Sequence, residues 1–149
     1  MTGVITKGIG GFYYVKAEDG KTYECRARGI FRKKGTKPMI GDFVTIELSG
    51  EQGSITEIGE RKNALIRPSV ANIDMLVLVS ATKSPEANPY FLDKMLVIAE
   101  RQGISPVLCF NKEDLESGQA LEAIYQSAGY PIIRTSAETG EGVEEFRDL

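Results

Sequence analysis

Val107-Leu108-Cys109-Phe110-Asn111-Lys112-Glu113-Asp114 decides how this chain reads, because an apolar run ends abruptly on polar residues. The same change recurs downstream, where Ile132-Ile133 leads into Arg134-Thr135-Ser136-Ala137. A near-continuous apolar run suits a strand covered on both faces, and an open α/β sheet places its ligand loops at the C-terminal ends of such strands.

The flanking pattern agrees with a parallel sheet. Ile73 to Val79 is a near-continuous apolar strand, and Tyr90 to Gln102 has helical spacing through Phe91, Met95 and Ile98. Ser105 to Phe110 is a second strand, Ser117 to Ala128 a second helix, and Pro131 to Thr135 a short third strand reached through Gly129. Alternating strands and helices predict a helix-covered parallel sheet over residues 73–149. Val143 to Leu149 starts another helix after Gly140-Glu141-Gly142, so this α/β domain reads as incomplete.

Residues 1–62 follow a different rule. Gly3 to Lys7, Phe12 to Ala17, Lys21 to Ala27, Phe43 to Leu48 and Gly53 to Ile58 are short, rich in β-branched residues, and separated by glycine-bearing turns. Five strands in so short a stretch predict a small closed barrel, since closure removes edges that a small sheet cannot protect. Residues 63–72, with Arg67-Pro68 and little periodicity, are expected to connect the two domains and to contribute at most a short edge strand.

The net charge of −3 conceals an asymmetry: residues 1–62 carry 11 basic and 8 acidic side chains, and residues 63–149 carry 7 and 13. The two parts therefore face different partners. Arg26, Arg28, Arg32, Lys33, Lys34 and Lys37 gather between barrel strands, where they can meet an RNA backbone while Phe31 stacks on a splayed base. A solvated loop whose charge aids solubility is the plainer alternative. The 2 cysteines, Cys25 and Cys109, form no CxxC, and the chain has 0 histidines, so the usual zinc ligand sets cannot be assembled and both thiols are expected to be reduced. No basic leader and no apolar run near the roughly 20 residues of a membrane span is present, which predicts a cytoplasmic protein.

The polar strand ends have a specific chemistry. The Asp114 carboxylate can accept from the ring N–H and exocyclic amine of guanine, a planar two-donor edge that adenine lacks. Asn111 can tie the loop to its neighbours, Lys112 can lay its stem along the base, the Ala137 amide can donate to the guanine carbonyl, and Ser136 can keep the loops in register. Asn-Lys-x-Asp alone is also what a polar turn with a helix cap looks like; coupling to Thr135-Ser136-Ala137 makes it specific. No phosphate-binding half precedes it. The one Gly-Lys-Thr, at Gly20-Lys21-Thr22, has Val15 where the P-loop spacing needs glycine.

With these motifs the chain resembles the ribosome small-subunit-dependent GTPase A family, circularly permuted GTPases in which base-recognition motifs come before the P-loop. The resemblance rests on Gly3 to Tyr14, Gly41-Asp42-Phe43-Val44, Arg67-Pro68, Ala71-Asn72-Ile73-Asp74, Asn111 to Asp114 and Thr135 to Ala137. It implies a multidomain fold: an all-β OB-fold-like barrel that binds rRNA and the small ribosomal subunit, then an incomplete α/β circularly permuted P-loop GTPase domain. It also implies GTP and GDP as ligands, with Mg²⁺ and one structural Zn²⁺ in the longer parent. The sequence does not itself fix the oligomeric state, for which a monomer is the expectation. The P-loop, switch motifs and zinc ligands would follow Leu149, so the sequence is expected to be an N-terminal fragment without hydrolytic activity, and no catalytic residue is assigned. Two alternatives stand beside this reading: a non-enzymatic RNA-binding or scaffold protein, and a different nucleotide enzyme with an unusual fold order.

Overall fold

The computed structural model describes residues 1–33, 35–50 and 52–149, with backbone alone at Arg32 and Lys33. Lys34 and the side chains of Arg32 and Lys33, expected to contact nucleic acid, thus lie outside the described residues. The chain forms two compact units, Met1–Ile73 and Asp74–Leu149.

The first unit is built on β1 (Thr2–Ile9), β2 (Phe12–Ala17), β3 (Thr22–Ala27), the short helix α1 (Ile30–Lys33), β4 (Phe43–Ser49) and β5 (Gln52–Ile58). These strands close in the order β1-β2-β3-β5-β4, with β3 and β5 parallel and the other neighbours antiparallel. Alternate residues point inward, as a pleated strand requires, so Ile5, Val15, Cys25, Val44, Ile46 and Ile55 fill the interior. Phe31 joins that core at 8 % exposure, because the turn of α1 carries it back against the barrel. It is therefore a packing residue and not the base-stacking platform expected from its basic neighbours. Gly20-Lys21-Thr22 occupies the β2–β3 hairpin, where the Lys21 amide donates to Asp19 Oδ1 at 3.0 Å; an acidic turn of this kind repels phosphate.

Residues 63–72, expected as a connection, lie within the first unit. β6 (Ala64–Leu65) and β7 (Val70–Ala71) pair as a small hairpin, and Ala71 N–H donates to the Ile40 carbonyl at 2.8 Å. The Asn63 side chain takes both polar groups of Ile73, and Asn72 Nδ2 donates to the Gly41 carbonyl at 2.9 Å. Polar side chains thus supply the backbone pairing that so short a ladder cannot. Beneath them Asp42, 0 % exposed, accepts from Arg61 Nε at 2.6 Å, from Arg61 Nη2 at 2.7 Å and from the Met39 amide at 2.8 Å.

The second unit runs β8 (Met75–Ala81), α2 (Pro89–Arg101), β9 (Ser105–Asn111), α3 (Gln119–Gln126), β10 (Ile132–Thr135) and α4 (Val143–Arg147). The strands are parallel in the order β8-β9-β10, which leaves β9 central and buried along most of its length. Asn88 caps α2 by accepting from the Phe91 amide, with Pro89 at the first helical position, where its missing N–H costs nothing. The helix turns Leu92, Leu96 and Ala99 inward, whereas Phe91 is 56 % exposed. The stripe through Phe91, Met95 and Ile98 is thus displaced by one residue, because the sheet face selects the neighbouring apolar row. Leu92 and Leu96 meet Leu78, Leu108, Phe110 and Tyr125 in the core. Asp93, on the outward side of α2, accepts from the Tyr125 hydroxyl at 3.1 Å.

Candidate functional site

Parallel pairing of β9 with β10 sets Thr135 opposite Asn111, so the loops that follow leave the sheet side by side. Asn111 Oδ1 accepts from Thr135 Oγ1 and from the Ala137 amide, each at 3.1 Å. The Glu113 amide donates to the Thr135 carbonyl at 3.1 Å, and Ser136 Oγ donates to Asp114 Oδ1 at 2.5 Å. All five residues singled out in the sequence, Asn111, Lys112, Asp114, Ser136 and Ala137, meet within these two loops. The Ala137 amide, expected to face a base carbonyl, is engaged by Asn111.

The second loop is held from behind. Ser136 is fully buried, its Oγ accepts from the Thr139 amide at 3.2 Å, and its own amide donates to the Glu141 carbonyl at 2.9 Å. The loop closes at Gly142, with φ +70°; a Cβ there would sit 2.0 Å from the Arg134 carbonyl oxygen, so the backbone approach requires glycine. In the first loop Lys112 has φ +72°, and its ammonium donates to the Ser84 carbonyl.

Sequence reasoning missed the supports. Glu113 Oε1 accepts from the Gly118 amide at 2.6 Å and Glu113 Oε2 lies 3.7 Å from Arg134, which also pairs with Glu122 at 3.2 Å. Thr82 reaches the loop from the end of β8. No local motif marks these contacts. Asp114 stays exposed, leaving a carboxylate held on one side by Ser136 and open to a donor on the other. Burial pushes the Cys109 thiol up, opposed by its contact with Thr135, and burial likewise raises Cys25; both are neutral thiols at physiological pH.

On the barrel, Arg26 lies 4.4 Å from the Phe12 ring centroid, and Arg28 pairs with Glu47 at 2.5 Å. Arg28 and Lys37 line a cleft of about 820 Å³ beside the β1–β2 turn, whereas Arg26 does not line it. Among the described residues no cluster of His, Cys, Asp and Glu can hold a metal ion, and no helix is long and apolar enough to cross a membrane.

A closed five-stranded barrel followed by a parallel unit that presents Asn-Lys-x-Asp and Thr-Ser-Ala on adjacent strand ends defines the class of circularly permuted GTPases. The family model described as RsgA GTPase matches residues 58–149, and that of the RsgA N-terminal domain matches residues 2–55. The chain belongs to the RsgA GTPase family. A relative from Caldanaerobacter subterraneus subsp. tengcongensis, named small ribosomal subunit biogenesis GTPase RsgA, is 48 % identical over 99 % of this chain and 51 % of its own length. One of the same name from Agathobacter rectalis is 44 % identical over 100 % and 55 %. Among solved structures, YjeQ from Thermotoga maritima superposes with a TM-score of 0.81 at 37 % identity, covering 99 % of this chain and 55 % of that one. YloQ, described as a circularly permuted GTPase, gives 0.72 at 38 % identity, with 92 % and 52 % covered. The chain spans about half the length of the curated relatives it matches.

Proposed function

We propose that this chain provides the guanine-recognition and rRNA-binding parts of a cytoplasmic, monomeric GTPase that converts GTP to GDP and phosphate during maturation of the small ribosomal subunit. The observation that carries the reading is the joining of Asn111, Asp114, Ser136 and Ala137 across two adjacent strand ends. In it, Asp114 accepts from the two-donor edge of guanine, and the stem of Lys112 lies along the base. The Ala137 amide exchanges its bond to Asn111 for the base carbonyl, or shares it between the two. Mg²⁺ accompanies the nucleotide, and a structural Zn²⁺ is implied by the resemblance. These 149 residues carry recognition and no hydrolysis, since phosphoryl transfer needs phosphate-cradling amides, a lysine and Mg²⁺ around the γ-phosphate.

The barrel half of the proposal assigns RNA contact to Arg26, Arg28, Arg32, Lys33, Lys34 and Lys37. The test compares Mg²⁺-dependent GTP turnover by the full-length polypeptide and by these 149 residues, with and without small ribosomal subunits. Turnover stimulated by subunits in the full-length polypeptide alone is expected; its absence there rejects the enzymatic reading. In a parallel titration, Arg28→Ala with Lys37→Ala lowers rRNA affinity and flattens its salt dependence by about 0.7 for each phosphate left without its cation. Unchanged affinity and slope remove both residues from the interface.

A further inference from the structure

We propose that Thr82 is a positioning residue of the guanine site, holding the peptide of Lys112 in the orientation that aims Lys112 and Asp114 at the base. The proposal rests on the guanine reading given above. Thr82 is the first residue past β8 and only 6 % exposed, so its polar groups cannot turn to solvent. Both are directed to the base loop: its amide donates to the Asn111 carbonyl at 2.9 Å, and Oγ1 donates to the Lys112 carbonyl at 3.0 Å.

The position of that carbonyl matters. Lys112 adopts φ +72°, a left-handed conformation that L side chains disfavour and that persists only where neighbouring groups determine it. Its carbonyl also accepts from the Leu115 amide at 2.9 Å and the Glu116 amide at 3.3 Å, which closes the turn carrying Asp114. Turn amides move with the loop, whereas Thr82 is anchored in the β8–β9 ladder, which ends in register at Ala81 and Asn111. The hydroxyl therefore references the loop to the sheet. Ser84, two residues on, accepts from the Lys112 ammonium, so the segment after β8 holds Lys112 at its backbone and at its side-chain tip. The Thr82 methyl lies 3.3 Å from the place a Cβ on Gly118 would occupy, close to the point where Glu113 fixes the Gly118 amide.

The test uses the full-length polypeptide with fluorescent GDP, IDP and ADP. Inosine lacks the exocyclic amine, so the GDP-to-IDP preference reads the placement of Asp114 separately from general binding. Thr82→Val keeps the shape and removes the donor; it is expected to weaken GDP about three- to tenfold and to shrink the GDP-to-IDP preference. Thr82→Ser keeps the donor and removes the methyl; it is expected to restore both to within about twofold of the parent, as a conserved hydrogen bond should. If Thr82→Val loses its cooperative melt, Thr82→Cys, a weak donor of similar size, is read instead and should show a reduced preference. Equal losses in the Val and Ser variants, or an unchanged preference in Val or Cys, overturn the proposal. A parent that binds GDP no better than ADP overturns the guanine reading and this inference with it, whereas a guanine-selective parent with an indifferent Thr82→Val overturns this inference alone.

Discussion

Ser136 Oγ donates to Asp114 Oδ1 at 2.5 Å, joining two loops whose residues are 22 positions apart in the chain. The hydroxyl is buried and the carboxylate exposed, so the bond orients the group proposed to meet a base. Ser136→Ala should weaken guanine nucleotide binding by about 1–2 kcal/mol, since a hydrogen bond to a charged group is lost. Isothermal titration of the parent and the variant checks this; equal affinities would detach Ser136 from recognition.

Asp114→Asn exchanges a pure acceptor for an amide that both donates and accepts. Guanine then meets a donor where it presents one, while xanthine, which carries a carbonyl in place of the exocyclic amine, finds a partner. GDP affinity should fall by about 1–3 kcal/mol or more, and XDP should bind better than to the parent. Competition between the two nucleotides reads the change directly.

Removing either member of the Asp42–Arg61 pair should destabilise the barrel unequally. Asp42 is completely buried, whereas the Arg61 side chain keeps 25 % exposure and can recover water. Arg61→Ala strands a carboxylate and should cost about 3–5 kcal/mol, with Asp42→Ala costing less. Urea unfolding followed by a barrel probe tests the ranking, and the reverse order would refute it.

The Tyr125 hydroxyl is pushed up to about 12, first by burial and then by its bond to Asp93. An unfolded tyrosine ionises near pH 10, so the folded state holds this proton more tightly. The resulting contribution is complete below about pH 10 and is lost as pH rises toward about 12. Tyr125→Phe should lose less stability than the parent across that window; parallel losses in both proteins would show that Tyr125 does not set the slope.

Much of this architecture is legible in the residues because local rules suffice. Alternation in Phe43 to Leu48 and Gly53 to Ile58 belongs to a half-buried strand, and the fully apolar Val107 to Phe110 to a central parallel one. Helix rotation is less legible: in α2 the rows through Phe91 and through Leu92 are both apolar, and only the sheet beneath chooses Leu92. Phe31 misleads for a related reason. Its basic neighbours suggest an RNA surface, but a single turn of helix sends its ring into the barrel.

From the sequence alone follow the two-part organisation, the order of the five barrel strands and of the α/β strands and helices, and the proposal that Asn111, Lys112, Asp114, Ser136 and Ala137 form a guanine site, because each depends on residue type and short-range spacing. Tertiary structure alone decided that residues 63–72 pack within the first unit, that Asp42 pairs with Arg61, and that Glu113, Arg134 and Thr82 brace the loops after β9 and β10. Those pairings join positions 19 to 30 residues apart, and no local pattern encodes which distant partner satisfies a buried polar group. Closure of the barrel and parallel pairing of β8, β9 and β10 bring them into reach.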